Sequence, residues 1–153
     1  MPNYKTVFFT LGMLQIILGI FMIIPIIIQY VYGEFDSSFI IASIITLIFG
    51  ILFVISNLDY DKKINLHQAF LLTSLSWITI AIFGALPIFF SELNLSFTDA
   101  FFESMSGITT TGSTIIINLE NAPKSILLWR ALLQWLGGIG IIVMAITLMP
   151  IMN

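Results

Sequence analysis

The stretch Leu93-Asn-Leu-Ser-Phe-Thr-Asp-Ala-Phe-Phe-Glu-Ser-Met-Ser-Gly-Ile-Thr-Thr-Thr-Gly-Ser-Thr-Ile-Ile-Ile-Asn118 decides how this chain folds. It is too apolar for an exposed connection, and its parts are too short to cross a bilayer. Ser96 followed by Asp99 fits a capping box, so a helix is expected over about 97–107, running through Phe101, Phe102 and Met105 until Gly107 stops it. About ten helical residues descend roughly 15 Å, half the hydrocarbon thickness. The next five residues, Thr109, Thr110, Thr111, Gly112 and Ser113, are β-branched or small. Extended at about 3.3 Å each, they climb roughly 16 Å back to the starting side. The arithmetic describes a re-entrant hairpin.

Such a hairpin carries unpaired backbone carbonyls at membrane depth, which is tolerated only where they face protein or a water-filled cavity. Thr-Thr-Thr-Gly-Ser alone is an ordinary polar turn composition. Behind a capped, half-length helix it suits a ring of carbonyls replacing the hydration shell of a monovalent cation, with Gly112 supplying backbone angles that other residues resist. The helix points its partially negative C-terminal end toward the bilayer centre, which favours a cation over an anion. Asp99 reads as a capping acid. Glu103 reads as a hydrogen-bonding group behind the filter or at the outer surface, because a carboxylate in a dehydrated path would hold a cation too tightly.

Outward from this segment, the chain is lipid-facing. Of its 153 residues 59% are apolar and 8% charged, with five Lys or Arg against eight Asp or Glu. An ordinary soluble domain carries about 25% charged residues, so these cannot clothe a water-exposed surface. The net charge of −3 offers no basic stripe for a phosphate backbone, which excludes nucleic acid as a partner. Without cysteine there is no disulfide, thiolate metal site or cysteine nucleophile. Four uncharged runs, 6–33, 37–58, 64–91 and 131–153, each exceed the roughly 20 residues a spanning helix needs. The expected class is all-α integral membrane: about four transmembrane helices, one re-entrant pore helix and an extended filter loop.

Orientation follows from the basic residues, which are kept preferentially in the cytoplasm. Lys5 precedes the first span and Lys62 and Lys63 fill the second turn, whereas the first turn holds only Glu34 and Asp36. The N-terminus and second turn are thus expected inside, and the re-entrant segment outside, with Lys124 and Arg130 arguing against this. Within the spans, Ala42, Thr46 and Gly50 repeat at four-residue spacing as a narrow packing face. Pro25 and Pro87 should kink or end their helices. Trp77, Trp129 and Trp135 read as interfacial or packing aromatics, and His67 as an interfacial histidine.

Two blocks, Thr98-Asp-Ala-Phe-Phe-Glu-Ser-Met-Ser-Gly-Ile-Thr-Thr-Thr-Gly-Ser113 and Leu128-Trp-Arg-Ala-Leu-Leu-Gln-Trp-Leu-Gly-Gly-Ile-Gly-Ile-Ile-Val143, resemble the first pore loop and following helix of the Trk/Ktr/HKT superfamily of potassium transporters. The likeness is to the membrane-embedded, TrkH-like subunit of bacterial uptake systems. It implies four helix–pore-loop–helix repeats around a pseudo-fourfold axis, of which this chain holds one. Residues 1–63 then correspond to an extra N-terminal helix hairpin and 64–153 to the first repeat, with the pore helix at about 97–107 and the filter at 109–113. Gly112 matches the family's single filter glycine, while Thr114 stands where TVGYG-type channels have a second. The resemblance also implies the bacterial inner (plasma) membrane and a cytosolic nucleotide-binding regulatory subunit.

The expected function is potassium movement through a carbonyl-lined filter, without covalent chemistry. Potassium is the transported ion, with the carbonyls of Thr110, Thr111 and Gly112, and those of Thr109 and Ser113, as its ligands. Ser96, Asp99 and Glu103 cap and support the pore helix. Gly137, Gly138 and Gly140 let the next helix pack behind the filter or act as a hinge. One repeat closes no pore, so either the remaining repeats of a longer protein or further copies of the chain are expected as partners. A non-conducting assembly or regulatory subunit is the alternative reading. An enzyme is disfavoured, since no paired carboxylates, metal cluster or Ser/His/acid set share a plane.

Overall fold

The computed structural model describes residues 4–34, 36–60 and 64–148, and within them the chain is helical, with no strand. The helices are α1 (Lys5–Phe21), α2 (Ile23–Tyr32), α3 (Ser38–Ser56), α4 (Leu66–Phe90), α5 (Phe97–Ile108) and α6 (Lys124–Leu148), with one 3₁₀ turn at Leu119–Asn121. Four of the resulting segments are long and apolar enough to cross a membrane: Lys5–Tyr32, Ser38–Ser56, Leu66–Phe90 and Lys124–Val143. Lys62, Lys63 and the end of the last uncharged run, 149–153, lie outside the described residues.

Each helix boundary has a local cause. Pro25 cannot donate to the Phe21 carbonyl, and the first span is broken one turn earlier, at Met22, into α1 and α2. Gly33 ends α2 in the left-handed conformation at φ 70°. Asn65 starts α4 with a reciprocal capping box: its Oδ1 accepts from Gln68 N at 2.8 Å, and Gln68 Oε1 accepts from Asn65 N at 3.0 Å. Pro87 lies inside α4, which runs one further turn to Phe90.

Small residues bring α1 against α3. A Cβ on Gly12 would fall 2.8 Å from the Gly50 carbonyl oxygen, and one on Gly50 would fall 2.9 Å from Ile16 N. Ser43 Oγ donates to the Gly19 carbonyl at 2.9 Å, and Ala42 and Thr46 are fully buried on the same face. Backbone-to-backbone contact of this kind needs residues without side-chain bulk.

The second packing unit joins α4, α5 and α6 around Ala81, Ala85, Ile88, Ala100, Ile108, Trp129 and Leu133, all buried. Trp129 packs by an edge on Phe39 of α3 at 5.9 Å and donates its indole N–H to the Gly84 carbonyl at 2.9 Å. Trp135 stays exposed, as does His67 near the start of α4.

Two boundaries differ from the sequence reading. The last helix begins at Lys124, ahead of the uncharged run 131–153, so Lys124 and Arg130, read as near the outer end of this span, belong to it. Its first turn is capped by a side chain from the first turn of the chain: Glu34 accepts from Lys124 N at 2.5 Å and from Ser125 Oγ at 2.7 Å. Helix α5 also continues past Gly107 to Ile108, because Gly107 serves packing: a Cβ there would sit 3.1 Å from Leu133 Cβ.

Candidate functional site: the α5 hairpin

Helix α5 starts at Ser96, whose Oγ accepts from Asp99 N at 3.1 Å and donates to the Asp99 carboxylate at 2.7 Å. Both residues thus neutralise the first turn of a helix 12 residues long. At 1.5 Å per residue that helix covers about 18 Å, well short of the roughly 30 Å hydrocarbon.

The chain turns at the C-terminal end of α5 over Thr109 and Thr110 rather than extending from Thr109 onward. Thr109 keeps φ −80° and ψ 3° with its N–H on the Met105 carbonyl, and Thr110 adopts φ 60°. The five residues expected to extend from Thr109 do not do so: the first two make the reversal, and the fourth, Gly112, is left-handed. A left-handed backbone at a β-branched residue is strained, and it persists here under bonds on both sides. Thr110 N–H donates to the Gly107 carbonyl, and the N–H groups of Thr111 and Gly112 both donate to the Ser106 carbonyl. Gly112 has φ 76°, a conformation in which its lack of Cβ is used.

Behind the returning segment, α5 presents two buried side chains one turn apart. Ser106 Oγ donates to the Ser113 carbonyl at 2.7 Å. Glu103, with no exposed surface, accepts from Thr114 Oγ1 and from Ile115 N, each at 2.6 Å, and its second oxygen accepts from Arg130 Nε at 2.7 Å. The front of the segment, 109–114, is exposed throughout.

The three glycines of α6 differ. A Cβ on Gly137 would lie 1.8 Å from the Ile108 carbonyl oxygen, so this helix touches the end of α5 directly there. Gly138 lies near the Thr110 methyl group, and Gly140 has nothing within 4 Å of its Cβ position. Close packing thus falls to Gly137. Three residues that hold the hairpin carried no assignment from the sequence: Ser106, Thr114 and Arg130. The signal for Arg130 was present, since a cation inside an apolar helix requires a partner at membrane depth.

Nothing in this arrangement is set up for proton transfer or nucleophilic attack, and among the described residues no three His, Cys, Asp or Glu side chains are grouped to hold a metal ion. The class the fold defines is a helical protein with four membrane-length segments and one short helix that ends in an exposed, left-handed turn.

Comparison with known proteins agrees with that class. Residues 35–153 match the family described as "TrkH: Cation transport protein", and the chain belongs to this family. It is 43% identical over 144 residues to the Trk system potassium uptake protein TrkI of Halomonas elongata, covering 94% of this chain and 29% of that protein. Against the Trk system potassium uptake protein TrkH of Escherichia coli K12 it is 37% identical over 157 residues, 99% of this chain and 32% of the relative. The crystal structure of the potassium transporter TrkH from Vibrio parahaemolyticus superposes with a TM-score of 0.92 at 33% identity, over 97% of this chain and 32% of that one. The chain therefore spans about a third of the length of the relatives it matches. These relatives are named as potassium uptake proteins and a potassium transporter, not as enzymes.

Proposed function

We propose that this chain supplies one wall of a potassium pathway in the bacterial inner membrane, as the first pore-forming repeat of a Trk/Ktr-type uptake system. The observation that carries the proposal is the hairpin: a capped half-length helix, an exposed turn of threonines and glycine at its negative end, and buried side chains fixing that turn from behind. Residues 1–63 form the accessory helix hairpin and 64–153 the helix–pore-loop–helix unit. Potassium is taken by backbone carbonyls within Thr109, Thr110, Thr111 and Gly112. The Ser113 carbonyl already accepts from Ser106 and is a less available ligand.

The pathway is closed by further repeats or further copies of the chain, and a cytosolic nucleotide-binding subunit regulates it from the inner face. The N-terminus lies in the cytoplasm. Support for this orientation comes from the basic residues Lys5, Lys62 and Lys63 in the sequence, and the contact of Lys5 with Asp59 at 3.3 Å and the stacking of Phe9 on Tyr60 put the start of α1 beside residues 59–60. Glu34 and the start of α6 then lie outside.

The test is rubidium-86 uptake by membrane vesicles from cells making the protein in its native assembly, with sodium as competitor. Gly112→Ala, at a left-handed position, should lower uptake about tenfold or more while the protein remains inserted. Unchanged uptake would replace the filter reading with that of a hairpin that only packs against a partner.

A further inference from the structure

Glu103 and Arg130 lie 27 residues apart on α5 and α6 and form a buried ion pair at 2.7 Å, with side-chain exposures of 0% and 9%. Taking two charges out of water is unfavourable, and an apolar pair of similar volume would hold the helices together as well. The carboxylate does more than balance a charge. Its other oxygen accepts two bonds from the returning segment, at Thr114 Oγ1 and Ile115 N. Thr114 Oγ1 in turn accepts from Ile116 N at 3.1 Å. One side chain therefore ties a spanning helix to the segment immediately after Gly112, while Ser106 ties α5 to the residues just before and after it.

We infer that Glu103 and Arg130 are positioning residues for ion discrimination: the pair transmits the position of α6 to the backbone at 113–115 and so sets the spacing of the filter carbonyls. This rests on the filter reading above. Neither side chain touches the ion. Arg130 keeps the carboxylate aimed, and the carboxylate accepts the two bonds that fix the returning segment; bonds of this length between charged and polar groups are the stiffest available to it. A displacement of α6 at Arg130 then reaches the returning segment through two consecutive short bonds.

A role confined to folding and a role in positioning separate in one measurement. Fewer folded copies lower rubidium and sodium transport in proportion and leave their ratio unchanged, whereas a displaced returning segment changes the ratio. The experiment measures rubidium-86 and sodium-22 uptake in the native assembly for the wild type, Arg130→Lys, the double variant Glu103→Gln/Arg130→Gln, and Thr114→Val. The last removes one bond to the carboxylate at an exposed position and keeps the ion pair, so it stays measurable if the others do not fold. The rubidium-to-sodium ratio should fall about tenfold in Thr114→Val, the scale of one hydrogen bond to a charged group, and further in the Arg130 variants. A wild-type ratio in Thr114→Val, or in any Arg130 variant that still transports, would overturn the inference. Gly112→Ala is assayed in parallel: if it leaves uptake intact, the filter reading itself has failed, whereas loss of uptake there with an unchanged ratio in the other variants refutes only the positioning role.

Discussion

Gly137 lies against the carbonyl oxygen of Ile108 so closely that a Cβ on it would fall 1.8 Å from that atom. The carbonyl belongs to the last residue of α5, directly before the turn at Thr109 and Thr110. The neighbour is backbone, which cannot rotate away as a side-chain tip can. Gly137→Ala should therefore force α6 and α5 apart and destabilise the fold by about 3 kcal/mol, the upper end of overpacking. Gly140→Ala, with open space at its Cβ, should instead stabilise by up to about 1 kcal/mol through helix propensity. Heating the protein in detergent and following the fraction that stays monodisperse compares the two; equal behaviour would show that the close approach is absent.

Glu34 acts on a helix whose first residues lie 90 and 91 positions downstream. Its carboxylate serves the amides of Lys124 and Ser125, which no earlier turn of α6 can satisfy. Glu34→Ala should cost about 1 kcal/mol, as loss of an N-cap does, and Glu34→Gln less, since the amide oxygen still accepts. The same thermal assay in detergent reads this, and an unaltered Glu34→Ala protein would mean that water caps α6 equally well.

Thr110 holds a left-handed backbone, φ 60°, that a β-branched residue resists. Replacing it with glycine should relieve strain in excess of the added unfolded-chain entropy, a net gain of about 1 kcal/mol in stability. On the filter reading, the same change should reduce discrimination against sodium, because the relaxed turn no longer fixes its carbonyls. A melting temperature below that of the wild type would show that Thr110 is not strained.

Gly12 and Gly50 set the distance between α1 and α3. Gly50→Val would place side-chain atoms onto Ile16 N and the Gly12 carbonyl, and should separate the two helices. A pair of engineered cysteines across the α1–α3 contact would then lose their disulfide crosslink. Since α5 and α6 touch neither glycine in this way, rubidium uptake should fall less than for Gly137→Ala. Efficient crosslinking in Gly50→Val would refute the close contact.

Much of this architecture is legible in the sequence because its causes are local. Hydropathy marks four spans, Ser96 and Asp99 start α5, and the short length of that helix requires a return within the membrane. Family membership rests on a match over residues 35–153, which include the hairpin and the glycine-containing block after it. Helix ends are less legible where distant residues decide them: Gly107, expected as a stop, is a contact with Leu133, and the start of α6 at Lys124 is capped by Glu34 from another part of the chain.

Hydrogen-bond satisfaction in lipid and N-capping act between neighbours in the chain, so helicity, the apolar spans and a half-length helix ending near Thr109 can be read from the residues alone. What holds the turn depends on how the helices pack. Glu103 could meet Arg130, Gly137 could meet Ile108 and Glu34 could reach Ser125 only after the spans had packed, since each pair is separated by at least 27 residues and no local periodicity encodes such distances. A buried carboxylate in lipid is costly alone, and its partner is fixed by which helices the small residues allow to approach.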